Sequence, residues 1–159
     1  MASAVLSLVL GGCKSVTLQP VEDGAPGLRH KDGYLVLHTT SNARFEQVAL
    51  GDLTRIAEIP IGTDVRVVAA PAGHYSWSAL RAQNLEWELE EDDATMDFEV
   101  RAGRLNYPGE LVVQRRGLYA RVRTRNRSAS VLPLLARDFP RLLRRYPLVY
   151  TGFQRDDFF

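Results

Sequence analysis

The chain has 159 residues, a formal net charge of +1, 45% hydrophobic residues and 25% charged residues. These values are typical of a single globular domain with a real hydrophobic core. A charge so close to zero excludes a strong overall attraction to nucleic acid. Because Cys13 is the single cysteine, no disulfide forms within the chain, and the fold must be held by packing.

The apolar N-terminal run ends in Leu10, Gly11, Gly12 and Cys13, and the composition becomes polar at Lys14. These residues resemble the lipobox of bacterial lipoproteins, in which small residues precede a cysteine that accepts a lipid. The resemblance implies that the residues before the cysteine are a signal peptide and that Cys13 becomes the lipidated mature N-terminus. It also implies, from Lys14 in the next position, sorting to the outer membrane.

No lysine or arginine precedes the apolar run, whereas a secretory signal normally starts with a basic segment. We therefore expect the natural start to lie upstream of Met1. The run is much shorter than the ~20 residues that span a bilayer, which argues against a transmembrane helix. A buried structural thiol is the alternative for Cys13, although two glycines and Lys14 are poor core neighbours.

Residues 13–32 contain Pro20, Pro26 and several glycines without periodicity. This composition predicts a tether between the lipid and the domain, with pairing as an edge strand as the alternative for its first part. The apolar run Tyr34–Thr39 follows an Asp-Gly turn signal and predicts the first strand of the domain. The stretch 45–61 fits either strand or a helical turn and stays open.

Alternating apolar residues and Gly or Pro turns about every ten residues predict further short strands. They cover Val65–Ala70, His74–Leu80, Leu85–Leu89, Met96–Val100, Leu105–Val113 with a break at Pro108–Gly109, and Leu118–Thr124. This pattern predicts a mainly β protein: an antiparallel β-sandwich, transthyretin-like or immunoglobulin-like, over residues 33–126.

Apolar residues recur at helical spacing between Val131 and Tyr146 and predict a short C-terminal amphipathic helical segment. Pro140 should break it, with Asp138 as the N-cap of a second helix that Pro147 ends. A last short strand is expected at 148–150. We expect residues 127–159 to be a helical segment and tail packed on the sandwich; the alternative is a helix lying on a membrane.

Charge is segregated along the second half of the chain, with acidic residues between Glu86 and Glu99 and arginines from Arg101 to Arg127. One interpretation is solvated strand faces and hairpin loops that pair across a sheet. The other is a binding site for an anionic envelope partner, because guanidinium groups form charge-assisted hydrogen bonds with phosphates and carboxylates. The candidate residues are Arg115, Arg116, Arg121, Arg123 and Arg125.

Catalytic and metal-binding motifs are not recognisable. His30, His38 and His74 do not have metal-ligand spacing, and no nucleophile elbow or phosphate loop is present. We predict no metal site, no catalytic residue and no cofactor other than the covalent lipid on Cys13. A hydrolase would require His38 or His74 beside a carboxylate in a deep cleft.

Three segments, Pro71–Tyr75, Phe98–Gly103 and Asn106–Leu111, resemble sequences of small uncharacterised proteobacterial lipoproteins and periplasmic domains. The resemblance covers about residues 34 to 125. It implies a β-sandwich in the cell envelope and carries over no catalytic residue.

These expectations combine into an outer-membrane-anchored, periplasm-facing lipoprotein with a non-enzymatic binding or accessory role. The predicted domains are a signal peptide at 1–12, the lipidated tether at 13–32, the sandwich and the C-terminal segment. The expected partners are the membrane, through the lipid anchor, and an envelope protein, lipopolysaccharide or peptidoglycan, but not nucleic acid. The alternative function is a cell-wall or glycan hydrolase.

Overall fold

The structure, a computed structural model, describes residues 15–89 and 94–153. Cys13 with the whole predicted lipobox, the acidic loop at 90–93 and the tail from 154 onward lie outside the described residues.

The described residues form twelve strands, two α-helices and one short 3₁₀ helix at Ala94–Met96. The strands are β1 Val16–Leu18, β2 Asp32–Ser41, β3 Phe45–Leu50, β4 Thr54–Ile59, β5 Gly62–Pro71, β6 Gly73–Ala82, β7 Leu85–Glu88, β8 Asp97–Val100, β9 Leu105–Tyr107, β10 Glu110–Arg116, β11 Tyr119–Arg125 and β12 Leu148–Tyr150. The helices are α1 Ser128–Asp138 and α2 Pro140–Arg145.

The strands form two sheets. Sheet I has the order β1-β4-β3-β6-β7, with β8 also on β6, and sheet II has the order β11-β10-β2-β9-β12, with β5 also on β2. The predicted β-sandwich is confirmed, but both sheets are mixed, because β1–β4, β2–β9, β2–β10 and β9–β12 are parallel pairs. The parallel neighbours β9 and β10 reach β2 only after the chain has passed through sheet I, and such a crossover permits parallel pairing.

Two apolar cores separate three layers. The first lies between the sheets and contains Leu35, Trp77 and Leu111; the second lies between sheet II and the helices and contains Val36, Leu135 and Leu142. Strand β2 is therefore buried on both faces, which explains why its sequence is a nearly continuous apolar run instead of an alternating one. The predicted packing of the helical segment on the sandwich is confirmed.

Each run predicted as a strand contains a strand of the structure, and the open stretch 45–61 forms the hairpin of β3 and β4. The predicted break at Pro108–Gly109 is confirmed, because β9 ends at Tyr107 and β10 begins at Glu110. Gly109 has a φ of +107°, and a Cβ there would lie 2.8 Å from the carbonyl oxygen of Arg125. Both constraints favour glycine.

The helical break at Pro140 is confirmed, but the predicted N-cap is wrong. Phe139 occupies the N-cap position of α2 without a side-chain cap, while Asp138 pairs with Arg137. The cap comes instead from Asp23, whose Oδ1 accepts hydrogen bonds from the backbone N–H groups of Arg141 and Leu142 at 2.8 and 3.0 Å. A carboxylate at this position also interacts favourably with the helix dipole.

The predicted tether is also wrong for the described residues 15–32. The edge-strand alternative holds for β1, which pairs with β4, and Val21 and Leu28 pack against the second core. Leu18 is buried in the first core, and Pro20 forms a bridge to Val68. Burial of these few apolar side chains holds the segment against the domain despite its prolines and glycines.

Replacing Asp23 with alanine is expected to lower the free energy of unfolding by about 1 kcal/mol, because two N–H groups at the start of α2 lose their acceptor. Urea denaturation measures the change. Glu22→Ala removes the same charge from the exposed neighbouring position and is the control. Equal stability of the two variants would show that the cap contributes nothing.

Candidate functional site

The predicted arginine site lies on the hairpin of β10 and β11. Alternation along these strands directs Arg116, Arg121, Arg123 and Arg125 to the outer face of sheet II, and we call these four residues the arginine face. The register pairs Arg121 with Gln114, Arg123 with Val112 and Arg125 with Glu110. The helices cover the part of this face around Tyr34 and Val36, whereas Arg121 and Arg123 are exposed.

Arg115 does not belong to this face, which corrects the predicted set. It is the alternate residue on β10, and its guanidinium lies 5.2 Å from the ring centroid of Trp87. Its Nε donates to the carbonyl of Gly117 at 3.1 Å, and the Trp87 indole N–H donates to the carbonyl of Leu118 at 2.8 Å. Arg115 therefore fixes the hairpin turn against sheet I by a cation–π contact.

The acidic and basic strands do not pair with each other, contrary to the interpretation of charges matched across one sheet. The acidic strand β7 pairs with β6 in sheet I, and the basic strand β11 pairs with β10 in sheet II. Within residues 15–89 and 94–153, no ion pair is formed by the four guanidinium groups of the arginine face. Of these residues, Arg116, Arg121 and Arg123 are exposed and Arg125 is half-buried.

A polar cluster borders the arginine face where β2 meets β10. His38 is buried, with Nδ1 at 3.0 Å from the Tyr107 hydroxyl and Nε2 at 4.0 Å from Oε1 of Glu110. The same Oε1 accepts a hydrogen bond from the Thr40 hydroxyl at 2.7 Å, and Arg127 Nε lies 3.8 Å from Oε2. The carboxylate of Glu110 is therefore held by His38 and Thr40 on β2 and by Arg127 at the start of α1.

Burial lowers the pKa of His38, and although the Glu110 carboxylate opposes this shift, Arg127 adds to it. Burial likewise raises the pKa of Tyr107, which keeps its hydroxyl protonated. A neutral imidazole beside a neutral phenol is a satisfied structural pair. Because His38 is 4% exposed, it is poorly placed to act on a substrate.

The lowered pKa of His38 predicts a pH-dependent stability. The unfolded chain takes up the proton more readily than the folded one, so stability should be complete above about pH 6.5 and fall as the pH drops through the folded-state pKa. Thermal unfolding at a series of pH values measures this slope. His38→Gln should flatten it, whereas His30→Gln, at an exposed site, should not; identical slopes for both variants would contradict the assignment.

A second candidate site is an open groove of about 900 Å³ at one end of the sandwich, which we call the groove. It is lined by the turn between β3 and β4, the start of β6, strand β8 and residues 151–153. The last segment is held in place by a hydrogen bond from Glu99 N–H to the Thr151 carbonyl at 3.2 Å and by a bridge between Phe98 and Gly152.

The groove contains His74, directly opposite Glu99 in the register of β6 and β8. A hydrogen bond from Arg101 to the carboxylate lowers the pKa of Glu99, which keeps it ionised and makes it a poor general acid. Ser76 follows on the same strand, but among the described residues no hydroxyl is hydrogen-bonded to His74. The relay of nucleophile, base and orienting group is therefore not assembled within the described part of the groove.

No signal in the sequence pointed to the groove. Its walls come from four separate segments, one of them inside the open stretch 45–61. Leu53, an apolar residue in the turn after Gly51 and Asp52, is one groove residue whose type is unusual for its position.

The described residues contain neither a metal-binding cluster nor a membrane-spanning helix. Residues 15–89 and 94–153 contain no cluster of three or more histidine, cysteine or acidic residues that could hold a metal ion. No helix in this part of the chain has the length and apolar character that crossing a bilayer requires.

The comparisons with known proteins add no assignment: no family model, no curated protein and no solved structure matches the chain. The resemblance to small proteobacterial lipoproteins therefore stays a prediction.

Proposed function

We propose that the protein is an outer-membrane-anchored, periplasm-facing lipoprotein with a non-enzymatic role, and that its arginine face binds an anionic glycoconjugate of the envelope. The observation that carries the binding role is the row Arg121, Arg123 and Arg125 on one face of β11, without ion pairs among the described residues. The lipobox-like residues ending in Cys13 support the location.

The chemistry of the row suits phosphate or carboxylate groups. Alternate residues on one strand lie about 6.5–7 Å apart, so the row presents a line of guanidinium groups to a polymer with repeated anions. Guanidinium groups bind phosphates and carboxylates through two parallel hydrogen bonds. Tyr119, exposed at the end of the row, adds an aromatic surface for a sugar ring.

The hydrolase alternative has one supporting observation, the position of His74 beside Glu99 in the groove. The groove is open, Glu99 is tied to Arg101, and His38 is buried away from solvent. We therefore favour binding over catalysis.

Replacing Arg121, Arg123 and Arg125 together with alanine tests the proposal. The variant should keep its fold, because these side chains lie on the outer face, and should bind at least about tenfold more weakly, since one charge-assisted hydrogen bond contributes about 1.5 kcal/mol or more. Binding is measured by co-sedimentation with purified peptidoglycan and, separately, with lipopolysaccharide. The matched control replaces Arg29, Arg104 and Arg144, which are exposed elsewhere.

Loss of binding to one glycoconjugate in the first variant and not in the control would identify the ligand. Equal binding by both variants to both polymers would rule out the arginine face. The affinity of the native protein should also decrease with added salt, as expected for exposed charges.

A further inference from the structure

The distance between Cys13 and the folded domain is limited by the small number of residues between Cys13 and β1. Ser15 is the first described residue, and β1 begins at Val16. Cys13 precedes Val16 by three residues, and three residues of extended chain span at most about 11 Å, so the Cα of Cys13 cannot lie farther than this from the start of β1. A lipid on this residue would hold the domain against the bilayer, because the segment that was expected to be a tether is packed on the sheets.

The end of the sandwich at which β1 begins also carries exposed apolar side chains. Val16 is 58% exposed, and its N–H donates to the carbonyl of Leu53 at 2.7 Å. Leu53, 49% exposed, forms the tip of the turn between β3 and β4 and lines the groove together with Phe153, which is 40% exposed. Residues 15–18, 50–54 and 151–153 form what we call the anchor end.

Charge at this end is mixed: Asp97 and Glu99 line the groove beside Leu53 and Phe153, and Arg101 pairs with Glu99. Asp52 is the one acidic residue of the turn, and Arg55 at the start of β4 reaches back to the Gly51 carbonyl with its Nη1 at 2.9 Å. The turn therefore combines an apolar tip with balanced charges.

We propose that the anchor end lies on the membrane surface, with Val16, Leu53 and Phe153 in contact with lipid. This inference rests on the lipid anchor of the proposed function. The short connection keeps the apolar tips at the bilayer, and burial of their exposed area adds to the affinity that the acyl chains supply.

The orientation also places the arginine face. Arg121 pairs with Gln114 of β10. Val113, the residue before Gln114, pairs with Ser41 of β2. Ser41 in turn pairs with Gly62, at the end of the sandwich opposite the anchor end. Arg121 therefore lies toward the end remote from the anchor. It would face the periplasm, so a periplasmic anionic polymer is accessible to it, whereas the head groups of the anchoring bilayer are not.

Fluorescence quenching in vesicles tests the orientation. The full chain is expressed with its natural signal, purified in its lipidated form and placed in vesicles of phosphatidylethanolamine and phosphatidylglycerol with spin-labelled lipid. A thiol-reactive, environment-sensitive dye is attached at Leu53→Cys or at Ile61→Cys; Ile61 is an equally apolar residue, 68% exposed, at the opposite end of β4. Lipidation converts the Cys13 thiol to a thioether, which leaves one reactive cysteine in each variant.

Lipid-borne quencher should reduce the fluorescence of the dye at position 53 by about twofold or more relative to the dye at position 61. Equal quenching at the two positions would overturn the orientation. The intact mass of the same preparation separates the two failures: a lipidated protein with equal quenching refutes this inference alone, and an unmodified Cys13 refutes the anchor on which it rests.

Discussion

The Asn106→Ala variant is expected to lose about 3 kcal/mol of unfolding free energy, one of the largest effects of a single substitution in this chain. Asn106 is fully buried. Its Oδ1 accepts a hydrogen bond from the N–H of Arg101 at 2.9 Å, and its Nδ2 lies at 3.0 Å from the carbonyls of Tyr34 and Arg101 and at 3.2 Å from that of Arg104. Alanine would leave buried backbone groups without partners.

Urea denaturation of the variant gives the free energy, and Asn84→Ala, in an exposed turn, is the control. Asn106→Asp separates hydrogen bonding from size, because it keeps the volume but removes the donors and buries a charge. It should be at least as unstable as the alanine variant. A loss below about 1 kcal/mol in both variants would contradict a structural role for this side chain.

Replacing Leu135 with alanine should also cost about 3 kcal/mol, because the residue is 0% exposed between α1 and sheet II. Leu132, on the same helix and 45% exposed, provides a matched control, for which alanine should change the free energy of unfolding by less than about 0.5 kcal/mol. The pair measures how much of the domain's stability depends on the helical layer.

Both variants are compared by urea denaturation of the full chain without vesicles. A helix that packed on a membrane instead of on the sheet would lose little from either substitution in solution. Similar small losses for Leu135→Ala and Leu132→Ala would therefore contradict the three-layer arrangement.

Periodicity in the sequence predicted most of the strands and the helical segment because each of these has one apolar face with a regular spacing. Strand β2, which is buried on both faces, was predicted from its continuous apolar run. It failed where contacts between distant residues decide the structure. Asp138 has the residue type of an N-cap, but Asp23, more than a hundred residues away, supplies the cap. Residues 15–32 have the composition of a tether, but Leu18 and Val21 find apolar partners on both sheets.

The candidate site was predicted in part. Strand alternation was sufficient to place Arg121, Arg123 and Arg125 on one face. It could not predict that Arg115 would stack on Trp87, because this contact depends on how the hairpin meets sheet I. The groove and the anchor end join segments that no local pattern connects. The segment that begins at Asn106 is explained by the structure as part of a buried hydrogen-bond network.

The proposed location and orientation both depend on the lipid anchor, and the mass of the N-terminal peptide tests it. The protein is purified from membranes of cells that express the complete reading frame. We expect a chain that begins at Cys13, with a diacylglyceryl group on sulfur and an acyl group on the amine. An uncleaved chain with a free Cys13 thiol would contradict it.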